Sequence, residues 1–161
     1  MDKLKIYLET TMFSFFYEER QDGKYPIYKS QVREVFQRIK TGEYEPFTSP
    51  LTLEEIAKER DQAKRDRMGT LAAEYGIKVL DESDEAKRLA ALYIQEEAIP
   101  DAYETDAVHI ALATVNGLDF IVSLNFTHIV RPWTIERVRR VNKREGYQGI
   151  GIYKPSEVLE L

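Results

Sequence analysis

The sequence predicts an α/β fold in which a mostly parallel sheet of roughly five strands lies between two layers of helices, a three-layer sandwich. Five short apolar runs alternate with longer segments whose apolar residues recur at helical spacing. Several of these longer segments begin at a serine or proline and end at a glycine, as helices do. Because no repeat, low-complexity tract or linker interrupts the pattern, residues 1–161 are expected to form one domain.

The first half of the chain is expected to contain three strands and four helical segments. The strands are LKIYLE, YEPFTS and IKVL, and the helical segments are TTMFSFFYEER (a short helix or turn), 28–40, 51–60 and 63–75. QDGKYP, which contains Gly23 and Pro26, is expected to be a loop. Ser49 and Pro50 are typical of an N-cap followed by a proline in the first helical turn.

The second half is expected to contain two more strands and the remaining helices. Ser83 caps a helix that runs to about residue 97, and residues 106–115 form a helix with one apolar stripe. LDFIVS is the fourth strand, 134–145 a basic helix, and GIGIY the fifth strand, followed by a helical turn that begins at Pro155.

Composition excludes several classes of protein. The net charge of −5 argues against a chain that coats nucleic acid non-specifically, although it allows a local basic patch. There is no cysteine, and therefore no disulfide, thiolate metal site or cysteine nucleophile. No apolar run approaches the roughly 20 residues of a membrane span, so no membrane partner is expected. Asp2, Lys3 and Lys5 interrupt any apolar leader, which makes the cytoplasm the expected compartment.

Oxygen-bearing side chains lie where the predicted strands end. Glu9 ends the first strand, Glu54 and Glu55 open the helix after the second, and Asn125 follows the fourth. Because the carboxyl ends of parallel strands share one edge, these side chains are expected to lie near one another. Asp106 begins the helix before the fourth strand, and strand order alone does not fix its side of the sheet.

Such a group of acids is typical of a site for a divalent cation. Crowded carboxylates repel one another and stay ionised most easily around a cation. Oxygen ligands without thiolates or paired histidines favour Mg²⁺ or Mn²⁺, and such an ion activates water and stabilises phosphoryl charge. The hydroxyls of Thr10 and Ser123 are candidates to orient these carboxylates or bound waters. Taken singly, each acid is more typical of helix capping or solubility than of a metal site, and only their combination favours the metal site.

Four motifs in order resemble those of the PIN-domain family: IYLETTMF, TSPLTLEEI, TDAVHIALA and LDFIVSLNFTHI. On this resemblance the matching site residues are Glu9, Glu55, Asp106 and Asn125. The tail is similar to a bacterial branch of the family, through Asn142, Gly146-Tyr147 and Pro155-Ser156-Glu157. The resemblance spans nearly the whole chain and implies a parallel sheet between helices, in agreement with the pattern.

The resemblance also implies a function. PIN domains are Mg²⁺-dependent nucleases, and many are ribonuclease toxins of type II toxin–antitoxin pairs. It therefore implies an RNA-cleaving hydrolase that binds Mg²⁺ or Mn²⁺ through Glu9, Glu55, Asp106 and Asn125, with an antitoxin protein and a second copy of the chain as partners. This sequence departs from the family pattern twice, since Glu9 replaces an Asp and Asn125 replaces the fourth acid. The amide brings no charge, so weaker metal binding is expected. Glu54 is the fallback for Glu55, because adjacent helical residues face directions about 100° apart.

Basic residues after the fourth motif are candidates to contact RNA. They are Arg131, Arg137, Arg140 and Lys143, and a second basic cluster lies in residues 58–67. Phe126 and the aromatic residues near Phe13 are candidates to stack on bases, although packing is their more common role. His109 and His128 are expected to have structural or exposed positions more often than catalytic ones.

Two other functions are compatible with the sequence. Asn125 and the acidic surface favour a binding module with this fold and little or no turnover, which would bind RNA or a protein. The same acids also suit a metal-dependent phosphatase or a nuclease that acts on DNA.

Overall fold

A five-stranded sheet forms the middle layer of the computed structural model, which describes residues 2–161. Its strands are β1 (Leu4–Leu8), β2 (Tyr44–Thr48), β3 (Lys78–Val79), β4 (Phe120–Val122) and β5 (Gly151–Tyr153). The spatial order is β3-β2-β1-β4-β5, and every neighbouring pair is parallel. The predicted α/β class and the parallel sheet are confirmed.

Helices cover both faces of this sheet. They are α1 (Thr10–Phe16), α2 (Tyr25–Lys40), α3 (Pro50–Ala57), α4 (Gln62–Glu74), α5 (Asp84–Gln95), α6 (Glu104–Val115), α7 (Pro132–Arg144) and α8 (Pro155–Val158), with a 3₁₀ turn over Asp101–Tyr103. Helices α1, α2, α4 and α8 bury apolar residues on one face, whereas α5, α6 and α7 do so on the other. Within the described part of the chain, no helix is long and apolar enough to cross a membrane.

Successive side chains of β1 point to opposite faces of the sheet and therefore join different parts of the core. Ile6 and Leu8 join the apolar cluster on the α1 side, and Tyr7 joins the cluster on the α6 side. All three residues are fully buried, because β1 is the central strand and helices cover both of its sides. The phenol group of Tyr7 consequently lies inside the protein and needs a polar partner there.

Two predicted boundaries are wrong in an informative way. The segment QDGKYP was expected to be a loop, but α2 already begins at Tyr25, with Pro26 in its first turn. Proline fits this place because the first-turn N–H groups have no partner within the helix. Asp106 was expected to begin its helix, but α6 starts at Glu104, which makes Asp106 the third helical residue.

The strand order creates a switch point between β1 and β4. The chain proceeds from β1 to β2 and β3 in one direction and then returns to place β4 on the other side of β1. Leu8 at the end of β1 pairs with Val122 at the end of β4. Ligand sites of open parallel sheets form at the carboxyl ends of the strands beside such a point. The residues after Leu8 and Val122 therefore occupy the place where a site is expected.

Candidate active site

Glu9 lies at the switch point and is almost completely buried, with 2% of its surface exposed. Its backbone N–H donates to the carbonyl of Val122 at 3.2 Å, which ties it to the end of β4. Its Oε1 accepts from the Thr11 N–H at 3.0 Å, from the Ser123 hydroxyl at 2.7 Å and from the Thr11 hydroxyl. Within residues 2–161 no donor bonds to Oε2. One carboxylate oxygen is thus fixed by three hydrogen bonds, whereas the other has no donor from the described residues.

The surroundings of Glu9 oppose its charge. Burial raises the pKa of the Glu9 carboxyl, and the charge of His109 and the bonds from Thr11 and Ser123 lower it only in part. A carboxylate in this position is stabilised by any further cation that reaches it. The local chain also explains its orientation, since Glu9 is the N-cap of α1 and accepts from the N–H of Thr11.

Glu55 points toward the same edge from α3. Its Oε1 accepts from the Thr10 hydroxyl at 2.8 Å and from His109 Nε2 at 2.6 Å. Burial acts to raise the pKa of Glu55, but the bond from His109 and its charge outweigh burial and lower the pKa. Glu54 is exposed. The structure therefore turns Glu55, the residue preferred from the sequence, toward the edge.

His109 connects these elements from inside the protein. It is fully buried, its Nδ1 lies 2.6 Å from the Tyr7 hydroxyl, and that hydroxyl lies 2.6 Å from the Ser49 hydroxyl. Burial acts to lower the pKa of His109, but the bond to Glu55 and the charges of Glu9 and Asp106 raise it. Both ring nitrogens lie within hydrogen-bond distance of a partner, Nδ1 of the Tyr7 hydroxyl and Nε2 of Glu55. His109 thus links β1 to α3 from inside the protein.

Asp106 and Asn125 meet at His128. The Oδ2 of Asp106 lies 3.3 Å from His128 Nδ1, and the Oδ1 of Asn125 accepts from the His128 N–H at 3.0 Å. Burial raises the pKa of Asp106, against the charges of His109 and His128. The ring of His128 stacks on Tyr103, with 3.7 Å between ring centroids. Asp106, whose side the sequence left open, thus lies on the same edge as Asn125.

The structure brings the four predicted site residues to one edge without packing them into a ligand shell. Within residues 2–161, no three acidic or histidine side chains lie close enough together to hold one metal ion. The donor chemistry nevertheless suits a hard cation, because carboxylate and amide oxygens are the ligands of Mg²⁺ and Mn²⁺. Of the two hydroxyls singled out from the sequence, Thr10 donates to Glu55 and Ser123 donates to Glu9.

The predicted RNA-contact residues are largely engaged elsewhere. Arg131 bonds to the Thr134 hydroxyl at 2.7 Å and to the carbonyl of Ala98 at 3.4 Å. Arg137 bonds to the carbonyl of Glu97 at 3.2 Å and lies over the Trp133 ring at 3.5 Å.

Arg140 and Lys143 lie further along α7. Arg140 pairs with Glu136 at 3.3 Å. At about 1.5 Å of rise per residue, Lys143 lies roughly 18 Å along α7 from Arg131. The predicted contacts are therefore spread along a helix that leads away from the site edge.

The tail residues that carry the family resemblance have packing roles. Asn142 is buried and accepts from the Tyr93 hydroxyl at 2.6 Å. Tyr147 donates to Glu85 at 2.7 Å, and the N–H of Lys154 donates to Glu157 at 3.1 Å. These residues join α7, α5 and α8 to the fold, and within residues 2–161 none of them bonds to the side chains of the four predicted site residues.

Sequence reasoning missed the connecting residues. Tyr7 and His109 were not predicted as partners, because 102 positions separate them. Thr11 was also missed, although its hydroxyl accepts from the Leu124 N–H at 2.8 Å and bonds to Glu9. One signal was present, since Asp106 and His109 are three residues apart and share a helix face.

Comparison of the sequence with protein-family models and with curated proteins finds no match.

Proposed function

We propose that the protein is a metal-dependent endoribonuclease of the PIN-domain type. The observation that carries this proposal is Glu9, a buried carboxylate at the switch point whose Oε1 takes three hydrogen bonds and whose Oε2 takes none within residues 2–161. A buried charge held in this way is costly without a cation, so the fold keeps it at a cost in stability. The order of the four motifs supports the same assignment.

Each site residue has a role in this proposal. Glu9, Glu55, Asp106 and Asn125 would hold Mg²⁺ or Mn²⁺, which supplies activation of a water and stabilisation of phosphoryl charge. Thr11 and Ser123 hold Glu9, and Thr10 and His109 hold Glu55. Protonation of His109, which its acidic neighbours favour, would also reduce repulsion among the carboxylates before an ion binds. We further propose that the chain is the toxin of a type II pair, works as a homodimer in the cytoplasm and is covered by an antitoxin protein.

The decisive variant is Asp106→Asn, with Asp101→Asn as its matched control. Both changes remove one negative charge, but Asp101 is exposed and lies in the 3₁₀ turn before α6. We expect Asp106→Asn to abolish Mn²⁺-dependent cleavage of RNA and to weaken Mn²⁺ binding measured by calorimetry, with folding unchanged. Asp101→Asn should cleave as the wild type does. Cleavage at the wild-type rate by Asp106→Asn would remove Asp106 from the site.

A second function is favoured by one observation. The described side chains offer no ready group of three metal ligands, and Asn125 brings no charge. A binding module with this fold would retain affinity for RNA or a protein without turnover. Calorimetry with Mn²⁺ followed by assays on RNA, DNA and a small phosphate ester separates the alternatives. Turnover of RNA alone supports the ribonuclease, and metal binding without turnover of any substrate supports the binding module.

A further inference from the structure

A cleft lies beside the candidate active site on the same edge of the sheet. We name it the lysine–aromatic cleft and define it by Lys24, Ile27, Tyr28, Phe126 and Lys154. Its volume is about 360 Å³, within the roughly 300–1,000 Å³ typical of ligand clefts. The start of α2 forms one wall, and the segments after β4 and β5 form the other.

Aromatic and apolar surface is exposed in this cleft. Phe126 is 39% exposed and Ile27 is 55% exposed. The Phe126 ring lies 5.4 Å from the Tyr28 ring, and Tyr28 is supported from behind by Phe15, whose ring centroid lies 6.0 Å away. Phe126 is therefore held by a packed neighbour while it presents surface to solvent. A ring held in this way is suited to stack on a nucleobase at little cost in conformational entropy.

The charge of the cleft is opposite to that of the protein. Lys24 and Lys154 are exposed, and within residues 2–161 neither ammonium group forms an ion pair. No acidic residue lines the cleft, although the chain has a net charge of −5. Glu157, the acid nearest in sequence to Lys154, accepts from its backbone N–H. Two unpaired cations beside an exposed ring suit a polyanion that also carries planar bases.

The cleft is continuous with the candidate active site. Phe126 directly follows Asn125, and Lys154 directly follows β5, which pairs with β4. Ser123 bonds to both sides of this boundary. Its hydroxyl donates to Glu9, and its backbone N–H donates to the carbonyl of Tyr153 at 3.0 Å. An extended polymer bound in the cleft would thus pass the end of β4 next to Asn125.

We infer that the lysine–aromatic cleft binds single-stranded RNA, with one base stacked on Phe126 and flanking phosphates at Lys24 and Lys154. This inference deepens the proposed function and rests on it for the identity of the polymer. It replaces α7, the basic helix favoured by sequence, as the main RNA-binding surface. Arg131 and Arg137 of that region already bond to backbone carbonyls, and Arg140 pairs with Glu136.

The test measures affinity for a short unstructured RNA by fluorescence anisotropy in EDTA, so that binding is separated from cleavage. Phe126→Leu keeps apolar volume and removes stacking, and we expect roughly ten-fold weaker binding, with recovery in Phe126→Trp. The double variant Lys24→Gln/Lys154→Gln should lower the slope of log K against log salt by about 0.7 for each lost contact. The matched control is Arg140→Gln/Lys143→Gln on α7, which should bind within about two-fold of the wild type.

Each outcome decides the inference. If the cleft variants bind as the wild type does, or the α7 variant alone loses affinity, the cleft is not the RNA site. A wild type that binds no RNA in EDTA also overturns the inference and leaves a protein as the partner. RNA binding lost only in the cleft variants supports it, even if the wild type cleaves no RNA with Mn²⁺ in the Asp106→Asn experiment. Thermal melts of every variant verify that the fold is intact.

Discussion

Glu9 shows how a single residue is kept at a cost to the fold. Its carboxylate is buried, and its own surroundings raise its pKa, which means that they favour the neutral form. An uncharged residue of the same length would satisfy Thr11 and Ser123 equally well through one oxygen. The charge is therefore not required by these hydrogen bonds, which agrees with the cation-binding role that we propose for Glu9.

We predict that Glu9→Gln makes the metal-free protein more stable and weakens its binding of Mn²⁺. The amide oxygen can still accept the bonds from Thr11 and Ser123, while the cost of burying a charge disappears. Thermal unfolding in EDTA should give a higher Tm than the wild type, and calorimetry should show weaker Mn²⁺ binding. Glu19→Gln, an exposed change of the same kind, should alter neither quantity. A lower Tm for Glu9→Gln would mean that the charge itself stabilises the fold.

At this scale the sequence predicted some partners and missed others for a physical reason. Glu9, Ser123 and Asn125 lie at or just after the carboxyl ends of predicted strands. Because these ends share one edge of a parallel sheet, the proximity of the three residues could be predicted. The contact between Tyr7 and His109 depends on how far α6 lies from β1 and on how its faces are turned. Neither quantity is encoded in a local pattern, and so the link from Tyr7 through His109 to Glu55 was found only in the structure.

The helices follow their local signals closely, and α5 is the clearest case. Ser83 was predicted as its N-cap, and its hydroxyl accepts from the N–H of Ala86 at 3.1 Å. Asp84 and Glu85 lie in the first turn, where the helix dipole favours acidic residues. Helix ends are local in origin, and for this reason sequence reasoning placed most of them within a few residues.

Ser83→Ala should therefore destabilise the protein by about 1 kcal/mol, because one N–H of the first turn loses its partner. For a domain of this size the Tm should fall by roughly 2–4 °C. Ser30→Ala is the control, since Ser30 is exposed within α2 and alanine favours the helix there. Equal melting temperatures for Ser83→Ala and the wild type would show that α5 does not depend on this cap.

Strand β2 shows where a local rule is overridden. Pro46 lies inside β2, although proline is normally confined to edge strands. In the sheet, β2 lies between β1 and β3, but β3 has only two residues and pairs with Phe47 and Thr48. Pro46 has no partner in β3, so β2 is an edge strand on the β3 side at this position. The short β3 thus allows a proline in a strand that the sheet order places inside.

The stability of the whole molecule should depend on pH through carboxyl groups whose pKa values shift in opposite directions on folding. Glu18 is 6% exposed and forms two bonds with the Arg20 side chain, to Nε at one carboxylate oxygen and to Nη2 at the other. These bonds lower the pKa of Glu18 below 4.5. Burial instead raises the pKa of Glu9 and of Asp106. As pH falls, protonation of Glu18 destabilises the fold while protonation of Glu9 and Asp106 favours it.

Comparison of Glu18→Gln with the wild type isolates the first contribution. A carboxyl whose pKa is lowered on folding stabilises the protein above its unfolded pKa, and this stabilisation is lost as pH falls through the folded value. We expect Glu18→Gln to have a lower Tm than the wild type near neutral pH, and the gap to close below pH 4.5. Glu104→Gln should show no such convergence, because Glu104 is exposed. A gap that stays constant in acid would contradict the role of the Glu18–Arg20 pair.

The architecture as a whole was predictable because alternating strand and helix signals allow few arrangements. The order of the strands was not, since no local pattern indicates which strands are neighbours. For the same reason the side of the sheet on which Asp106 lies stayed open until α6 was placed. The edge on which the site lies was thus predicted, whereas the contacts that connect its residues depended on the complete sheet.

The long separation between the halves of the site has a consequence for synthesis on the ribosome. Glu9 is made early, yet the hydroxyl of Ser123 that holds it comes 114 residues later. Until β4 has emerged from the exit tunnel, β1 has no neighbour on that side and the crevice does not exist. A nascent chain therefore lacks the assembled candidate site through most of its translation, and a premature stop before β4 yields a fragment without it.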